Sequence, residues 1–326
     1  MIVVTGGAGF IGSALIHGLN KKGIKDIWVV DQIDHSEKQE NLNLLHFDRL
    51  IAIDEFLKDV LGKRLAQCDA ILHMGACSST TETDESFLTK NNFEYTRHLA
   101  SFCLEKGIRF IYASSAATYG AGENGYSDDE SRLKILKPLN LYGDSKQKFD
   151  LWAQEQGALK NLVGLKYFNV YGPNEYHKQD MQSMVRKGFL QISDTGKLRL
   201  FKSYKSEFSD GGQERDFLYI KDAVDMTLYF LERQDLGGIF NVGSGKARNW
   251  NDLAKSIFVA MSKQLNIEYI DMPPEIRNQY QYHTCSDTEK IRNTGYSQTA
   301  MSLEEGINDY VTQYLIPGKH LGSGAV

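Results

Sequence analysis

Short apolar runs alternate with longer amphipathic stretches through the first half of the chain. We predict strands at 2–5, 27–30, 70–74, 110–114 and 162–169, and helices at 12–22, 88–105 and 145–156. The first helix has apolar residues at helical spacing between Ile11 and Leu19 and is followed by Gly23, a common helix stop. This alternation is typical of βαβ units, and it predicts an α/β fold with a Rossmann-type, doubly wound parallel sheet.

The second half is organised differently. After Pro173 the alternation is lost to about Gln213 in a polar segment, which we interpret as substrate-covering structure. Strand patterns return at 216–220 and 239–242, and a helix is predicted at 251–263. We therefore predict a cofactor-binding domain from 1–169 and roughly 214–244, and a smaller, discontinuous α/β substrate domain from roughly 170–213 and 245–316. The Gly-rich end, 317–326, is predicted to be a frayed tail.

Composition and charge exclude several classes of protein. The 326 residues carry 37 Lys and Arg against 42 Asp and Glu, a net charge of −5, so neither a nucleic-acid partner nor an anionic membrane surface is expected. No apolar run is long enough to span a membrane. The four cysteines are scattered and form no Cys-x-x-Cys pair, so we predict no metal site. A strand directly after Met1 leaves no room for a signal segment, and we expect a cytoplasmic protein.

The first turn carries a phosphate-binding pattern. Gly7-x-Gly9-x-x-Gly12, preceded by Gly6, follows a predicted strand and opens a predicted helix. Missing β-carbons let the backbone approach a pyrophosphate, whose charge is met by the helix N-terminus. The alternative is a plain tight turn, but the strand and helix around the pattern favour a dinucleotide.

The end of the second predicted strand bears on which dinucleotide binds. Asp31 lies 19 residues after Gly12, where an acid accepts hydrogen bonds from the adenine ribose of NAD. Lys38, with His35 nearby, offers positive charge for the 2′-phosphate of NADP. A third interpretation is that Asp31 is only a solvated strand-end residue. These residues leave the choice between NAD and NADP open.

A tyrosine and a lysine lie one helical turn apart in Tyr142-Gly-Asp-Ser-Lys146. We expect the ammonium to lower the pKa of the phenol, so that the pair can do base chemistry. The 110–114 strand leads into Ser115, whose hydroxyl is expected to face the ligand crevice and to bind the reacting alcohol. Tyr-x-x-x-Lys also occurs by chance, and Ser115 could simply cap the following turn; the placement after a dinucleotide-binding pattern favours catalysis.

Motifs spread over nearly the whole chain resemble the extended short-chain dehydrogenase/reductases that act on nucleotide sugars. They are the glycine motif at 6–12, Ser115, Tyr142 with Lys146, Tyr167-Phe-Asn-Val-Tyr-Gly-Pro173, Arg215-Asp-Phe217 and Phe240-Asn-Val-Gly243. Finer stretches at 75–81 and 114–120, with His177-Lys178, resemble the members that invert carbon 6 of an ADP-heptose, a sugar of lipopolysaccharide.

The resemblance implies a reaction and its participants. A tightly held NADP, with NAD as the alternative, would oxidise the carbon-6 alcohol to a ketone and return the same hydride to the opposite face. Inversion needs a proton donor and acceptor on each side of the carbon, and the resemblance implies Tyr142 and Lys178 for these roles. A lone lysine such as Lys178 would otherwise be read as a surface charge. The family also implies a homo-oligomer, with a pentamer as its form.

Site residues carry over from the resemblance position by position. The catalytic residues implied are Ser115, Tyr142, Lys146 and Lys178. The cofactor contacts implied are Gly6, Gly7, Gly9, Phe10, Ile11, Gly12, Asp31, Gln32, Lys38, Met74, Gly75, Ala76, Cys77, Ser78, Asn91, Tyr142 and Lys146. The substrate contacts implied are Asn169, Val170, Lys178, Asp180, Lys187, Phe201, Lys202, Ser203, Tyr204, Arg215 and Tyr280.

Some of these positions depart from the family pattern or have a structural alternative. Met74 stands where relatives often have an acid. Asp180 stands two residues after Lys178, and its carboxylate is expected to favour the ammonium form of Lys178. The guanidinium of Arg215 suits a diphosphate, but it could instead pair with Asp216 or Asp222.

Two other functions remain to be weighed against the carbon-6 epimerase. A 4,6-dehydratase or another nucleotide-sugar epimerase would use the same scaffold. Dehydratases of this family have acids directly after the Ser115 position, where this chain has Ala116 and Ala117. A binding or redox-sensing protein that has lost the chemistry would be expected to lack Tyr142 and Lys146, and both are present.

Overall fold

The computed structural model describes residues 1–33, 36–62, 65, 67–277 and 280–323. The strands are β1 (Ile2–Thr5), β2 (Ile27–Val30), β3 (Arg49–Ile51), β4 (Ala70–His73), β5 (Arg109–Ser115), β6 (Leu162–Tyr167), β7 (Asn169–Tyr171), β8 (Leu198–Phe201), β9 (Glu214–Tyr219), β10 (Gly238–Val242), β11 (Ala247–Asn249) and β12 (Ile267–Ile270). The helices are α1 (Phe10–Lys21), α2 (Ser36–Glu40), α3 (Ile53–Leu61), α4 (Glu85–Leu88), α5 (Tyr95–Lys106), α6 (Leu141–Glu155), α7 (Met184–Thr195), α8 (Ile220–Glu232), α9 (Trp250–Ala260), α10 (Pro274–Arg277), α11 (Glu289–Asn293) and α12 (Leu303–Tyr310).

Seven strands form a parallel sheet in the order β10-β6-β5-β4-β1-β2-β3. The two faces of the sheet bury separate cores: Val4 packs in one apolar cluster and its neighbour Val3 in the other. Strands buried on both faces are expected to be almost continuously apolar, as β1 is. The predicted Rossmann-type fold is confirmed. The strand order reverses at β1, which has β2 on one side and β4 on the other, and ligands bind at such a switch point.

The remaining strands form two small sheets. β7 pairs with β9, which also pairs with β11, and β12 pairs with β8. The predicted strand at 162–169 is wrong at its end, because β6 stops at Tyr167 and β7 starts a new sheet at Asn169. β9, which we assigned to the cofactor-binding domain, thus pairs outside the seven-stranded sheet. The division into two domains stays a prediction.

Two helical predictions also need correction. The helix predicted at 88–105 is interrupted by a π-helical stretch at Thr89–Glu94 between α4 and α5. α6 begins at Leu141, before the predicted start, because the Asn140 side chain caps it by accepting a hydrogen bond from the Gly143 amide at 2.8 Å. Tyr142 therefore lies in the first turn of α6.

The polar segment after Pro173 and the chain end contain more structure than expected. α7 and β8 lie within the polar segment. Within the stretch predicted to be a frayed tail, Leu321 is 2% exposed and donates its amide hydrogen to Asn174 Oδ1 at 2.9 Å. In the described part of the chain, no helix has the length and apolar character needed to cross a membrane.

Candidate active site

The turn between β1 and α1 is built so tightly that only glycine fits. Gly6 has φ +64°, and a β-carbon there would lie 2.6 Å from the Cα of Gly75 in the loop after β4. A β-carbon on Gly12 would meet the carbonyl oxygen of Gly6, which already accepts the amide of Gly9 at 3.0 Å. The turn leaves the N-terminus of α1, with no acidic side chain in its first turn, open to an anion. A dinucleotide pyrophosphate fits this cradle.

Asp31 is tied to the glycine turn. Its Oδ2 accepts the Ala8 amide at 2.9 Å, and its Oδ1 accepts the Gln32 amide at 2.7 Å. Lys38 Nζ lies 2.7 Å from the same Oδ1 and donates to the Gln32 carbonyl at 2.7 Å. The structure therefore places Asp31, the acid that suits NAD, in contact with Lys38, the cation that suits NADP. These are the two residues on which the sequence left the choice of cofactor open. His35 lies outside the described residues.

Twelve of the predicted site residues line one cavity of about 450 Å³ at the carboxyl ends of the sheet strands. Those on the cofactor side are Phe10, Ile11, Met74, Ala76, Ser78, Tyr142 and Lys146, and the others are Ser115, Asn169, Val170, Lys178 and Lys187. Gly75 and Cys77 lie between the lining residues of the loop after β4. All four predicted catalytic side chains thus meet at one cavity.

Ser115 and Tyr142 are hydrogen-bonded partners from different elements. Ser115 ends β5, and its Oγ also accepts the Ala117 amide at 3.1 Å, so it caps the next turn as well. Burial raises the pKa of Tyr142, and the hydrogen bond with Ser115 opposes that rise. The expected lowering of this pKa by Lys146 is therefore wrong for this structure, because the cost of desolvating a phenolate outweighs it.

Lys146 is a buried cation one turn along α6, with 5% of its surface exposed. Burial lowers the pKa of Lys146 to about 8, and the negative charge of Asp150 opposes this shift. A group with such a pKa carries a proton for most of the time at pH 7 and loses it under mildly alkaline conditions. Lys146 can therefore act as a charged hydrogen-bond donor in the cavity.

Lys178 reaches the cavity from a short helical segment, Tyr176–Met181. Its ammonium lies 5.2 Å from the ring centroid of Phe10, at the start of α1. Burial lowers the pKa of Lys178 and so does the charge of Lys187, whereas Glu175 raises it. The carboxylate that favours the ammonium form is therefore that of buried Glu175. Asp180, expected in that role, is exposed, and its carbonyl accepts a hydrogen bond from Lys187 Nζ at 2.6 Å.

A second cavity of about 570 Å³ adjoins the first. Met184, Lys187 and Trp250 line both cavities, and Phe201 and Tyr280 line the second with their rings in an edge-on arrangement. The Arg215 guanidinium lies 5.1 Å from the Tyr280 ring centroid and 5.6 Å from that of Trp250. Arg215 pairs with no carboxylate among the described residues, which removes the structural alternative raised from the sequence.

Some predicted contacts lie outside both cavities. Lys202, Ser203 and Tyr204 follow β8 in an exposed loop, where Lys202 Nζ and the Tyr204 hydroxyl bind Asp271. Asn91 donates its side-chain amide to the Phe87 carbonyl at 2.8 Å. Its neighbour Asn92 is the buried one, and it holds both backbone groups of Cys77 and the hydroxyl of Ser145.

The sequence did not reveal Asn92, Glu175 or Trp250 as parts of this region. Asn92 and Glu175 are polar residues that take part in the site because the fold buries them there. Trp250 begins α9, far along the chain from the other site residues. No spacing signal could have found them. Within the described ranges, no three His, Cys, Asp or Glu side chains gather as a metal site.

Comparison with known proteins agrees with this geometry. Residues 2–243 match the model of the NAD dependent epimerase/dehydratase family, and the chain belongs to that family. It is 51% identical over 316 residues, 97% of this chain and 98% of the relative, to the ADP-L-glycero-D-manno-heptose-6-epimerase of Nitratidesulfovibrio vulgaris (strain DP4).

Solved structures give the same result. The crystal structure of the Helicobacter pylori ADP-L-glycero-D-manno-heptose-6-epimerase superimposes with a TM-score of 0.79 at 29% identity, covering 96% of this chain and 95% of that one. The UDP-glucuronic acid 4-epimerase of Bacillus cereus, in complex with UDP-glucuronic acid and NAD, superimposes with a TM-score of 0.76 at 25% identity, over 96% and 99% of the two chains.

Proposed function

We propose that this chain is an isomerase that inverts carbon 6 of ADP-D-glycero-D-manno-heptose to give ADP-L-glycero-D-manno-heptose. The observation that carries the proposal is the meeting of Tyr142 and Lys178 at one cavity. An alcohol that is oxidised and then reduced from the opposite face presents its oxygen in two orientations. Two proton-exchanging groups on separate elements suit that requirement.

The cofactor would be held by the glycine turn, the N-terminus of α1 and the loop after β4. When bound there, the cofactor would supply hydride chemistry, namely removal of the hydride of carbon 6 and its return to the other face of the ketone. We propose NADP, with NAD as the alternative: Lys38 supplies a cation for a 2′-phosphate, whereas Asp31 suits the free ribose of NAD. Because the same hydride is returned, the enzyme has no need to exchange its cofactor, and we expect tight binding.

The protein side chains have distinct roles around the reacting alcohol. Ser115 Oγ orients the substrate oxygen, and Tyr142 Oη exchanges the proton in one orientation. Lys146, charged at neutral pH, donates hydrogen bonds to the cofactor ribose and stabilises negative charge on Tyr142. Lys178 Nζ exchanges the proton in the other orientation. Its lowered pKa makes the neutral amine accessible, as a proton acceptor requires.

The ADP part of the substrate fits the second cavity. Phe201 and Tyr280 offer aromatic faces and edges to the adenine base. Lys187 and Arg215 supply positive charge for the diphosphate between the two cavities. Asn169 and Val170, at the start of β7, would contact the sugar in the first cavity.

The alternative, another nucleotide-sugar epimerase or a 4,6-dehydratase, has less support. Ala116 and Ala117 directly follow Ser115 and provide no acid to protonate a leaving hydroxyl. The aromatic second cavity does not by itself distinguish adenine from uracil, so the substrate must be tested directly.

The deciding experiment is incubation with ADP-D-glycero-D-manno-heptose and assignment of the carbon-6 configuration by proton NMR. With deuterium at carbon 6, we expect the label to stay on carbon 6 of the product. Loss of label to solvent would replace hydride return with a deprotonation mechanism. If ADP-heptose is unchanged while a UDP-sugar is epimerised, the substrate assignment is wrong.

A second experiment addresses the cofactor. Acid denaturation of the purified protein should release a nicotinamide nucleotide, which mass spectrometry identifies as NADP or NAD. If the preparation releases neither, tight binding is wrong. A cytoplasmic location and a homo-oligomer, a pentamer by family resemblance, are also part of the proposal; light scattering on the eluted protein tests the oligomer.

A further inference from the structure

A fully buried ion pair lies beside the catalytic cavity. Asp150 on α6 accepts a hydrogen bond from Lys166 on β6, with 2.8 Å between Oδ2 and Nζ, and neither side chain is exposed. Removing two charges from water is costly, and an apolar pair of similar size is often as stable or more so. A contribution to stability is therefore a weak explanation for this ion pair, and its position beside the cavity suggests a role in the site.

The pair is hydrogen-bonded to β5, the strand that carries Ser115. Asp150 Oδ2 also accepts the hydroxyl of Ser114 at 2.8 Å, and Oδ1 accepts the hydroxyl of Tyr112 at 2.9 Å. Both donors lie on β5, directly before Ser115. The Asp150 carboxylate thus fastens α6, which carries Tyr142 and Lys146, to β5.

Lys166 reaches Ser115 by a second route. Its Nζ donates to Thr118 Oγ1 at 2.6 Å, and that hydroxyl donates to the Ser115 carbonyl at 2.8 Å. Thr118 is fully buried, so no solvent water can take the place of its hydroxyl in this relay. The ion pair is therefore linked to Ser115 through Ser114, which precedes it in the chain, and through Thr118, which follows it.

Asp150 also acts on Lys146 through charge, because residues four apart are neighbours on a helix. The titratable groups around Lys146 are Tyr142 and Asp150 on α6, His73 on β4, Cys77 in the loop after β4, and Lys166 on β6 next to Asp150. Burial holds the pKa of His73 at about 3, so His73 is neutral at the working pH. Asp150 is thus the carboxylate that supports the Lys146 ammonium.

We propose that Asp150 and Lys166 are positioning residues of the reaction, which fix Ser115 through Ser114 and Thr118 and keep Lys146 charged. The pair touches neither substrate nor cofactor; it acts through the residues that do. The inference rests on the proposed function for its kinetic readout, and for its binding readout it rests only on the proposed cofactor and not on the proposed substrate.

The test is a pH titration of Asp150→Asn, which keeps the shape of the side chain and removes its charge. In the wild type from which the bound nucleotide has been removed, affinity for added NADPH or NADH, measured by fluorescence, should fall as pH rises through about 8, where Lys146 loses its proton. Loss of the carboxylate disfavours the ammonium, so the midpoint should move down by about one pH unit. The alkaline limb of kcat for the ADP-heptose epimers should move in the same direction.

Two further variants separate charge from structure. Tyr112→Phe removes a hydrogen bond to Asp150 but keeps its charge, and its midpoint should stay at the wild-type value. Thr118→Val breaks the relay to Ser115, and it should lower kcat about tenfold with an unchanged midpoint, the size of effect expected for one misplaced hydrogen bond.

The outcomes are distinct. A wild-type midpoint in Asp150→Asn, or an equal shift in Tyr112→Phe, would overturn the charge role, and full kcat in Thr118→Val would overturn the positioning of Ser115. If Asp150→Asn does not fold, the double variant Asp150→Asn with Lys166→Met takes its place, because it leaves no unpaired charge. Its midpoint should shift in the same direction by a smaller amount, and an unshifted midpoint counts against the proposal. A protein that shows the binding shifts but no turnover of ADP-heptose would contradict the proposed substrate only.

Discussion

At the scale of the residue, the cavity contains two buried titratable groups, Tyr142 and Lys178, to which we assign the proton exchange and whose pKa values shift in opposite directions. Tyr142 is buried and hydrogen-bonded to Ser115, and its raised pKa keeps it a neutral phenol. Lys178 is a cation whose pKa burial lowers, with Glu175 as the opposing charge. One group therefore starts as a proton donor, and the other is moved toward the form that accepts a proton.

The first prediction concerns these two groups. Tyr142→Phe and Lys178→Met should each lower kcat for epimerisation by about 10²- to 10⁴-fold, the usual contribution of a positioned acid or base. NMR of the product mixture, started from each epimer in turn, measures the rates.

Matched controls are Tyr269→Phe and Lys160→Met, which change the same residue types at exposed positions that line neither cavity. Both should keep wild-type rates. Normal turnover in Tyr142→Phe or Lys178→Met would remove that residue from the mechanism.

At the scale of the element, the segment Tyr176–Met181 holds Lys178 in place with an unusual backbone. Gln179, the residue after Lys178, has φ +46° and ψ −120°, a backbone conformation that residues other than glycine rarely adopt. Such strain persists where the surroundings enforce it, and here buried Glu175 accepts hydrogen bonds from the backbone and hydroxyl of Ser183 across the segment.

The second prediction follows from that strain. Gln179→Gly should raise the free energy of unfolding by about 1 kcal/mol, since glycine adopts this conformation at little cost. It should also lower kcat several-fold, because the freer backbone no longer fixes Lys178. Urea unfolding and the epimerisation assay measure the two effects.

Gln182→Gly is the control, because Gln182 has φ −60° and is not strained. Glycine there should reduce stability. If Gln179→Gly is also less stable than the wild type, the backbone at Gln179 is not under strain.

The elements that could be predicted from the sequence are those with a local cause. β1, β2 and the turn between β1 and α1 follow from apolar runs and glycines, and they were predicted closely. The π-helical stretch at Thr89–Glu94 and the break at Phe168 have no such local signal. In the site, the motif residues Ser115, Tyr142 and Lys146 line one cavity, and their roles stay predictions. Glu175 and Asn92 lie there through tertiary burial that spacing does not encode.

At the scale of the whole molecule, the chain end braces the cofactor site. Asn174 accepts the Leu321 amide and donates to Ser13 Oγ on α1 at 2.9 Å. Asn41 donates to the carbonyls of both Asn174 and Ala8, at 3.1 and 3.0 Å. The segment that holds Lys178 joins this network, because Asn41 Nδ2 also lies 3.2 Å from His177 Nδ1 and the Tyr176 hydroxyl donates to the Lys319 carbonyl at 2.7 Å.

The third prediction concerns this network. Deleting 317–326 should lower the free energy of unfolding by about 2–3 kcal/mol, chiefly from the lost burial of Leu321, and should weaken cofactor binding. Thermal denaturation and NADPH fluorescence measure these effects.

Lys319→Ala, which changes an exposed side chain in the same stretch, is the control and should change neither quantity. Cofactor affinity equal to that of the full chain in the longer deletion would show that the tail does not brace the glycine turn.

The docked tail also bears on how the protein is made. The glycine turn leaves the ribosome long before Leu321, which lies 309 residues after Gly12 in the chain. Domains begin to fold during synthesis from the N-terminal side, and contacts between distant parts of a chain form late. The sheet can thus assemble on the ribosome, but the support of the glycine turn is complete only after Leu321 has emerged, so nascent chains that end before Leu321 should bind the cofactor weakly.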